Sequence, residues 1–383
     1  MSIETKVKII NSDPFSLYKT QKIRFSSSLS FTTPSKAIDL DKLGLEQKLN
    51  KDAKRFNEIF KRFNAEQIKR IDEENELFDR LQNWFNRQKK KAEPETPTVT
   101  IVEFDEDRFP SKEEIEFLIG AIYPNSDIVT IPIVPGINKK KKSELDFDGY
   151  KKYVKEAIED IEGLNNKPIM GTIPKLPGTL IKDLINFYVG FGINSFLVDF
   201  DGSNPVSYDM RTHRILRALK ENKLLETSYL FGHNVGLGRP NKDVLAVPAR
   251  DILGFGLGLN SLGNKHKKFV PNRTFFEFIK MNPEKKFRLF DKGSYSYWNY
   301  EAVSKSPEAY PKDSSISWDE LKKSKMPNKL QKTFNEEQIA LETNKIYSVI
   351  NEDSEKSLSY LKSKKFVEKD DFKKIENSTK RIN

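Results

Sequence analysis

The sequence predicts an α/β chain folded as a (β/α)8 TIM barrel, with a helical insertion near the N-terminus and an α-helical C-terminal appendage. Three observations carry that prediction. Short hydrophobic stretches recur along the chain, amphipathic segments of helix length separate them, and polar residues with chemical potential sit at their C-terminal ends. Buried parallel strands covered by helices read this way, and in such a barrel the loops after the strands build the active site.

The first strand is expected at Ile23–Phe31 (IRFSSSLSF). From Leu40 to Lys91, Phe56, Ile59, Phe60, Phe63, Leu77, Phe78, Leu81, Trp84 and Phe85 recur at helical spacing among many charges. That spacing predicts one long or two hairpinned amphipathic helices, an insertion over residues 40–92 lying on the barrel. Ala92–Pro97 (AEPETP) breaks the segment, because Pro removes a donor and restricts its predecessor. Strands follow at Thr98–Phe104 (TVTIVEF), Asp127–Val134 (DIVTIPIV), Pro168–Lys175 (PIMGTIPK), Asn194–Asp201 (NSFLVDFD) and Ser228–Asn234 (SYLFGHN). Asp251–Asn260 (DILGFGLGLN) and Phe287–Trp298 (FRLFDKGSYSYW) complete the set, the latter as the eighth strand of a barrel domain spanning residues 1–304. Beyond it, Pro307, Pro311 and Pro327 punctuate a linker, and Phe334–Ile350 and Lys356–Phe366 read as polar helices of an appendage over 305–383.

Composition bounds the function. A chain of 383 residues can bury a substantial core. The absence of Cys excludes disulfide frameworks and thiolate metal sites, and with no apolar run long enough to span a bilayer the expectation is a soluble, cytoplasmic protein. A formal net charge of +10 and 11% aromatic residues suit a polyanionic partner, although a Lys-rich and Asn-rich composition also reflects genome bias. The basic loop Asn138–Lys142 (NKKKK) falls just after a strand, on the face expected to carry the active site.

Asp105, Asp199, Asp201 and Asp291 end different strands, and Asp199 and Asp201 alternate with Phe200 so that both face one side. Carboxylates converging on one mouth split their pKa values into an ionised nucleophile and a protonated partner, whereas a single Asp at a strand end equally serves a turn or a helix cap. His233 and Asn234 end the SYLFGHN strand, where imidazole and amide can orient a heterocycle. Three His in the whole chain show no metal-ligand spacing, so neither a metal nor another cofactor is expected. The glycines from Gly254 to Gly263, Gly256 among them, allow close approach of a flat base, but their order breaks the dinucleotide fingerprint. Tyr295, Tyr297, Trp298 and Tyr300 cluster beyond Asp291, for stacking on bases or for core packing.

Several of these segments, taken in order, resemble the tRNA-guanine transglycosylase superfamily, particularly its archaeal branch. IVEFD at Ile101–Asp105 is similar to the strand carrying that family's first active-site Asp, and SKEEIEFLIGAIYPNSDIVTIPIVPGINKKKK to the helix, strand and loop that follow. PIMGTIPK resembles its substrate-binding strand, SYLFG its Leu-Phe-Gly strand, and the tail from Ile316 its C-terminal helical segment. The resemblance implies exchange of guanine for a 7-deazaguanine base in tRNA or DNA through a covalent Asp–ribose intermediate. It casts Asp291 as nucleophile and Asp105 as the second carboxylate, with Asp199, Asp201, His233, Asn234, Gly256 and Tyr295 as substrate-binding residues. It also implies a homodimer or a heterodimer, for which the 40–92 insertion offers an apolar face.

The departures point to another outcome. The stretch around Ala309–Ser315 has no Cys and Phe334-Asn335 replaces a His-Asn pair, so the family's structural zinc site is lost. Glu106-Asp107 stands for the Ser-Gly after the first Asp, and the Gln-Gly of the base-binding strand is not retained. The nucleophile position aligns with Asp291 by local match or with Gly254 by counting from SYLFG. The alternatives are therefore an inactive paralogue that binds nucleic acid or an active partner subunit, and an unrelated barrel enzyme acting on a small phosphorylated substrate.

Overall fold

In the computed structural model, which describes residues 4–44, 47–53, 55–139, 145–164, 167–237, 245–266, 277, 288–324 and 327–382, parallel strand pairing runs all the way around a barrel. The chain begins outside it, with an antiparallel sheet of β1 (Lys6–Ser12), β2 (Lys19–Arg24) and β3 (Ser30–Thr33). The first barrel strand comes in two short pieces flanking Ala37, β4 (Ser35–Lys36) and β5 (Ile38–Asp39). The remaining seven are β6 (Asn57–Phe63), β7 (Thr98–Phe104), β8 (Ile128–Thr130), β9 (Ile169–Ile173), β10 (Ser195–Asp199), β11 (Tyr229–His233) and, after β12 (Ala246–Pro248), β13 (Ser261–Leu262). β4 pairs with β13 and β5 with β6, which closes the ring.

This is the (β/α)8 TIM-barrel class expected from the sequence, with three strands differently assigned. Ile23–Phe31 is not a barrel strand: its ends belong to β2 and β3, and Ile23 of β2, Phe25 just after it and Phe31 of β3 enter the barrel from below. Residues 40–92 are not a purely helical insertion, since they contain β6, the second barrel strand, before the helices α1 (Ala65–Glu73) and α2 (Asn75–Lys89). Phe56, Ile59, Phe60 and Phe63 fit a helical period, yet along a strand Phe56 faces the barrel interior while Ile59 and Phe63 face the helices. The apolar face of α2 is used within the chain, where Leu81 and Phe85 are buried in the main core.

The eighth-strand expectation is corrected most sharply. Most of Asp251–Asn260 forms a 3-10 turn, Ile252–Leu257, ended by Gly258 at φ +96°, and the eighth strand is the two residues that follow it. Phe287–Trp298 lies outside the barrel from its first described residue: β14 (Arg288–Asp291) and β15 (Ser296–Asn299) form an antiparallel hairpin that pairs with β12. The reason is turn chemistry. Asp291 accepts the backbone N–H groups of Gly293 (2.9 Å) and Ser294 (3.1 Å), so Asp-Lys-Gly-Ser reverses the chain.

Inside the barrel the pleat sorts side chains into two storeys. The lower one is apolar and aromatic, with Phe56, Val99, Ile101, Met170, Leu197, Tyr229 and Phe231 packed on Ile23, Phe25 and Phe31 of the N-terminal sheet. Phe31 stacks on Phe56 at 4.7 Å, and Phe25 meets Tyr229 edge-on at 5.9 Å. Each such ring buried contributes roughly 1.5–3 kcal/mol. The outward strand faces carry Ile59, Val102, Phe104, Val198 and Leu230 into the helical layer. The expected C-terminal helices are present; the longest, Pro327–Glu352, contacts β4, β5 and β14, and its Glu336 accepts the Asp39 N–H at 2.9 Å. No described helix is long and apolar enough to cross a membrane.

Asn260 fastens the seam between the seventh and eighth strands. Its Oδ1 accepts the Leu230 N–H at 2.6 Å, its own N–H donates to the Leu230 carbonyl at 2.9 Å, and its Nδ2 donates to Gln21 Oε1 of the N-terminal sheet. Asn260→Ala strands two buried polar groups and is expected to lower the unfolding free energy by about 2–5 kcal/mol in denaturant titration.

Candidate functional site

The upper storey of the barrel is polar because the same alternation continues. Glu58, Phe60 and Arg62 follow Phe56 on the inward face of β6, Glu103 and Asp105 follow Ile101, Asp199 follows Leu197, and His233 follows Phe231. Loop residues complete the mouth: Asn138 after β8, Asn234 after β11 and His266 after β13.

Glu58 is fully buried. Its Oε1 accepts the Asn264 N–H at 3.0 Å and lies 2.8 Å from His266 Nε2. Burial pushes its carboxyl up, but His266, Lys36 and His233 together outweigh burial and bring it down to about 2, so it stays ionised. Lys36 is buried alongside and donates to the carbonyls of Leu262 (3.3 Å) and Gly263 (2.9 Å) and to Asn264 Oδ1. His266 stacks on Phe60 at 4.1 Å, its Nδ1 lies 3.9 Å from Asp39 Oδ2, and its backbone N–H donates to Asn234 Oδ1 at 2.8 Å. The His233 ring lies 5.5 Å from that of His266. Burial, helped by His266, pulls His233 down to about 4, which makes it a neutral imidazole at pH 7.

A second set of contacts organises the far side of the mouth. Asp199 accepts from Asn138 Nδ2 (2.8 Å), Asn234 Nδ2 (3.1 Å) and the Asp201 N–H (2.9 Å), so both of its oxygens are engaged in holding loops. Asp201 and Asn234 adopt left-handed backbone, φ +49° and +53°, as those loops turn back. Buried Arg211 donates to the carbonyls of Asp199 (2.7 Å), Ile173 (2.9 Å) and Pro174, and desolvation lowers it to about 10 despite nearby Asp199. Arg62 pairs with Glu103 and sits 3.9 Å from Asp105, whose side chain is 35% exposed at the rim. Burial still raises the Glu103 carboxyl above its ordinary range, with Arg62 opposing.

Of the residues singled out in the sequence, Asp105, Asp199, Asp201, His233 and Asn234 therefore gather at the mouth. Asp291, Tyr295 and Gly256 lie elsewhere. Asp291 caps the β14–β15 turn on the outer sheet; Tyr295 is buried at φ +57° and donates its hydroxyl to Glu342 at 2.7 Å. Gly256 is packed so closely that a Cβ there would meet Tyr18 and Ile375 at 2.8 Å. Lys140–Lys142 of the basic loop lie outside the described residues. Sequence reasoning missed Glu58, Arg62 and His266. The signal for the first two was a pair of charges at alternate positions inside an otherwise apolar run; His266 stood in no pattern.

No family model and no curated protein matches the chain. Among solved structures it is similar to 2,3-dimethylmalate lyase, a PEP mutase/isocitrate lyase superfamily member, at 11% identity over 66% of this chain and 73% of that one, with TM-score 0.34. It is also similar to the YdjI aldolase of Escherichia coli K12, at 12% identity over 81% and 89%, TM-score 0.35. For DHODH of Eimeria tenella the figures are 11% over 50% of this chain and 58% of that one, TM-score 0.34.

Asp199 is the group on which the mouth loops hang. Asp199→Asn puts an amide donor among three donors, and amide hydrogen exchange over residues 134–139 and 233–236 is expected to quicken about tenfold or more, as a cost of roughly 1.4 kcal/mol or above implies.

Proposed function

We propose that the chain is a divergent, transglycosylase-like barrel protein that binds nucleic acid without exchanging its base. One observation carries the reading: the eighth strand ends in Ser261-Leu262-Gly263, with no carboxylate. Covalent base exchange requires an ionised carboxylate at a strand end to attack the ribose while a second one manages the proton. A Cβ at position 263 would come within 2.6 Å of the Phe231 ring and 2.7 Å of Glu58 Oε2, so that strand end has no room for one. Of the two positions that align with the nucleophile, Gly254 lies in the 3-10 turn before that strand and carries no carboxylate, and Asp291 belongs to the outer sheet, where its carboxylate holds its own turn.

Support for a nucleic-acid partner is electrostatic. The chain carries +10 overall. On the outer side of α2, a groove of about 890 Å³ is lined by Arg80, Asn83, Asn86, Arg87, Lys89 and Lys90, none of them acidic. Such a surface suits a phosphate backbone, to which cations give affinity without sequence preference.

Fluorescence anisotropy with labelled tRNA and duplex DNA over a salt series tests the binding. Affinity should fall steeply with salt, and the triple variant R80E/R87E/K90E should lower the slope of log K against log salt by about 3, one for each phosphate no longer neutralised. A parallel incubation with radiolabelled guanine should leave both polymers unlabelled. Incorporation that disappears in Asp105→Ala, or the lack of salt-dependent binding to either polymer, contradicts the reading.

A further inference from the structure

We propose that the barrel mouth holds one divalent transition-metal ion between Glu58, His233 and His266. The three come from β6, the end of β11 and the segment after β13, and each offers one ligand atom; these atoms all lie within 4.8 Å of one another. Ligands about 2.0–2.2 Å from a zinc-sized ion stand about 3.4 Å apart around a tetrahedral centre, so side-chain shifts of about 1 Å seat it.

An independent observation points to a ligand. His233 is fully buried, yet neither of its ring nitrogens has a hydrogen-bond partner among the described residues, and the same holds for Glu58 Oε2. Buried polar atoms left unpaired are costly, and native structures seldom leave several together. An ion placed among them takes an imidazole nitrogen and a carboxylate oxygen at once.

The surroundings fix the ligands as a metal site needs. His266 is held by its stack on Phe60, and Asp39 Oδ2 lies on the Nδ1 side of its ring, which favours the tautomer that leaves Nε2 free to ligate. The ion would replace the Glu58–His266 hydrogen bond, while Asn264 N–H continues to orient the carboxylate. Lys36 is close, but its ammonium donates to Leu262, Gly263 and Asn264. Two imidazoles and one carboxylate without a thiolate select zinc or another first-row ion; magnesium and calcium prefer all-oxygen shells. The site lies inside the barrel rather than on the α2 groove, and it stands whether or not nucleic acid is the partner.

The test uses the full chain, stripped with a chelator and titrated calorimetrically with Zn(II), Co(II) and Mg(II), with the visible spectrum of Co(II) reporting nitrogen ligation. One Zn(II) or Co(II) per chain is expected. His233→Gln and Glu58→Gln should each weaken binding by about 100-fold or more, and Asp39→Asn by about 10- to 100-fold. At one Zn(II) concentration, the melting temperature of the wild-type chain should rise clearly more than that of His233→Gln. Circular dichroism identifies any variant that fails to fold, and the wild-type titration then decides. Absence of stoichiometric Zn(II) or Co(II) binding by the wild type, or affinity unchanged in folded His233→Gln, overturns the proposal.

Discussion

The ionised carboxylate of Glu58, fully buried where the first, second and eighth strands meet, constrains the rest of the barrel mouth. A charge out of water must be met by donors and opposite charge. The structure meets it from the eighth strand's side, through the Asn264 N–H and the His266 ring, while Lys36 of the first strand is anchored on Leu262 and Gly263. Closing the barrel and solvating Glu58 are therefore one event. The long C-terminal helix joins in through Glu336, which accepts the Asp39 N–H, and burial pushes the Glu336 carboxyl well above its ordinary range. The segment that reads in sequence as an appendage thus completes the barrel wall.

The two-storey interior follows from period-two alternation and from what covers each end. Below, Ile23, Phe25 and Phe31 supply an apolar stopper, so the lower inward positions can be aromatic. Above, no such stopper is provided by the described residues, and the inward positions turn to Glu58, Arg62, Glu103, Asp199 and His233. The polar storey divides into a cluster around Glu58 and a loop-holding network around Asp199, bridged by Asn234, which accepts from the His266 N–H and donates to Asp199. That division separates what can bind a ligand from what only holds shape. Asp199 has both oxygens engaged, whereas His233 and Glu58 retain buried atoms with no partner among the described residues.

The five strands from β7 to β11 were legible because both of their faces are buried, which leaves a near-continuous apolar run in sequence. The strands at the seam were not. β13 has two residues after a glycine-rich turn, β4 and β5 have two each, and β6 spends its inward face on Glu58 and Arg62. Asp105, Asp199, His233 and Asn234 could be found because they terminate legible strands. Glu58 and His266 depend on the closure that sequence pattern did not reveal. Asp291 mimics a barrel-strand end in sequence, because an apolar run precedes it, but its Asx-type turn sends the chain back along an outer sheet.

The end of the eighth strand is already filled, by the Glu58 carboxylate and the Phe231 ring, and the reading of the barrel mouth turns on that. Denaturant unfolding of Gly263→Ala tests it most directly, since the added methyl group is the smallest probe of that space. A loss of about 1–3 kcal/mol, the usual cost of overpacking a rigid interior, is expected. Stability equal to that of the unsubstituted chain would mean that the strand end is open, and would contradict the claim.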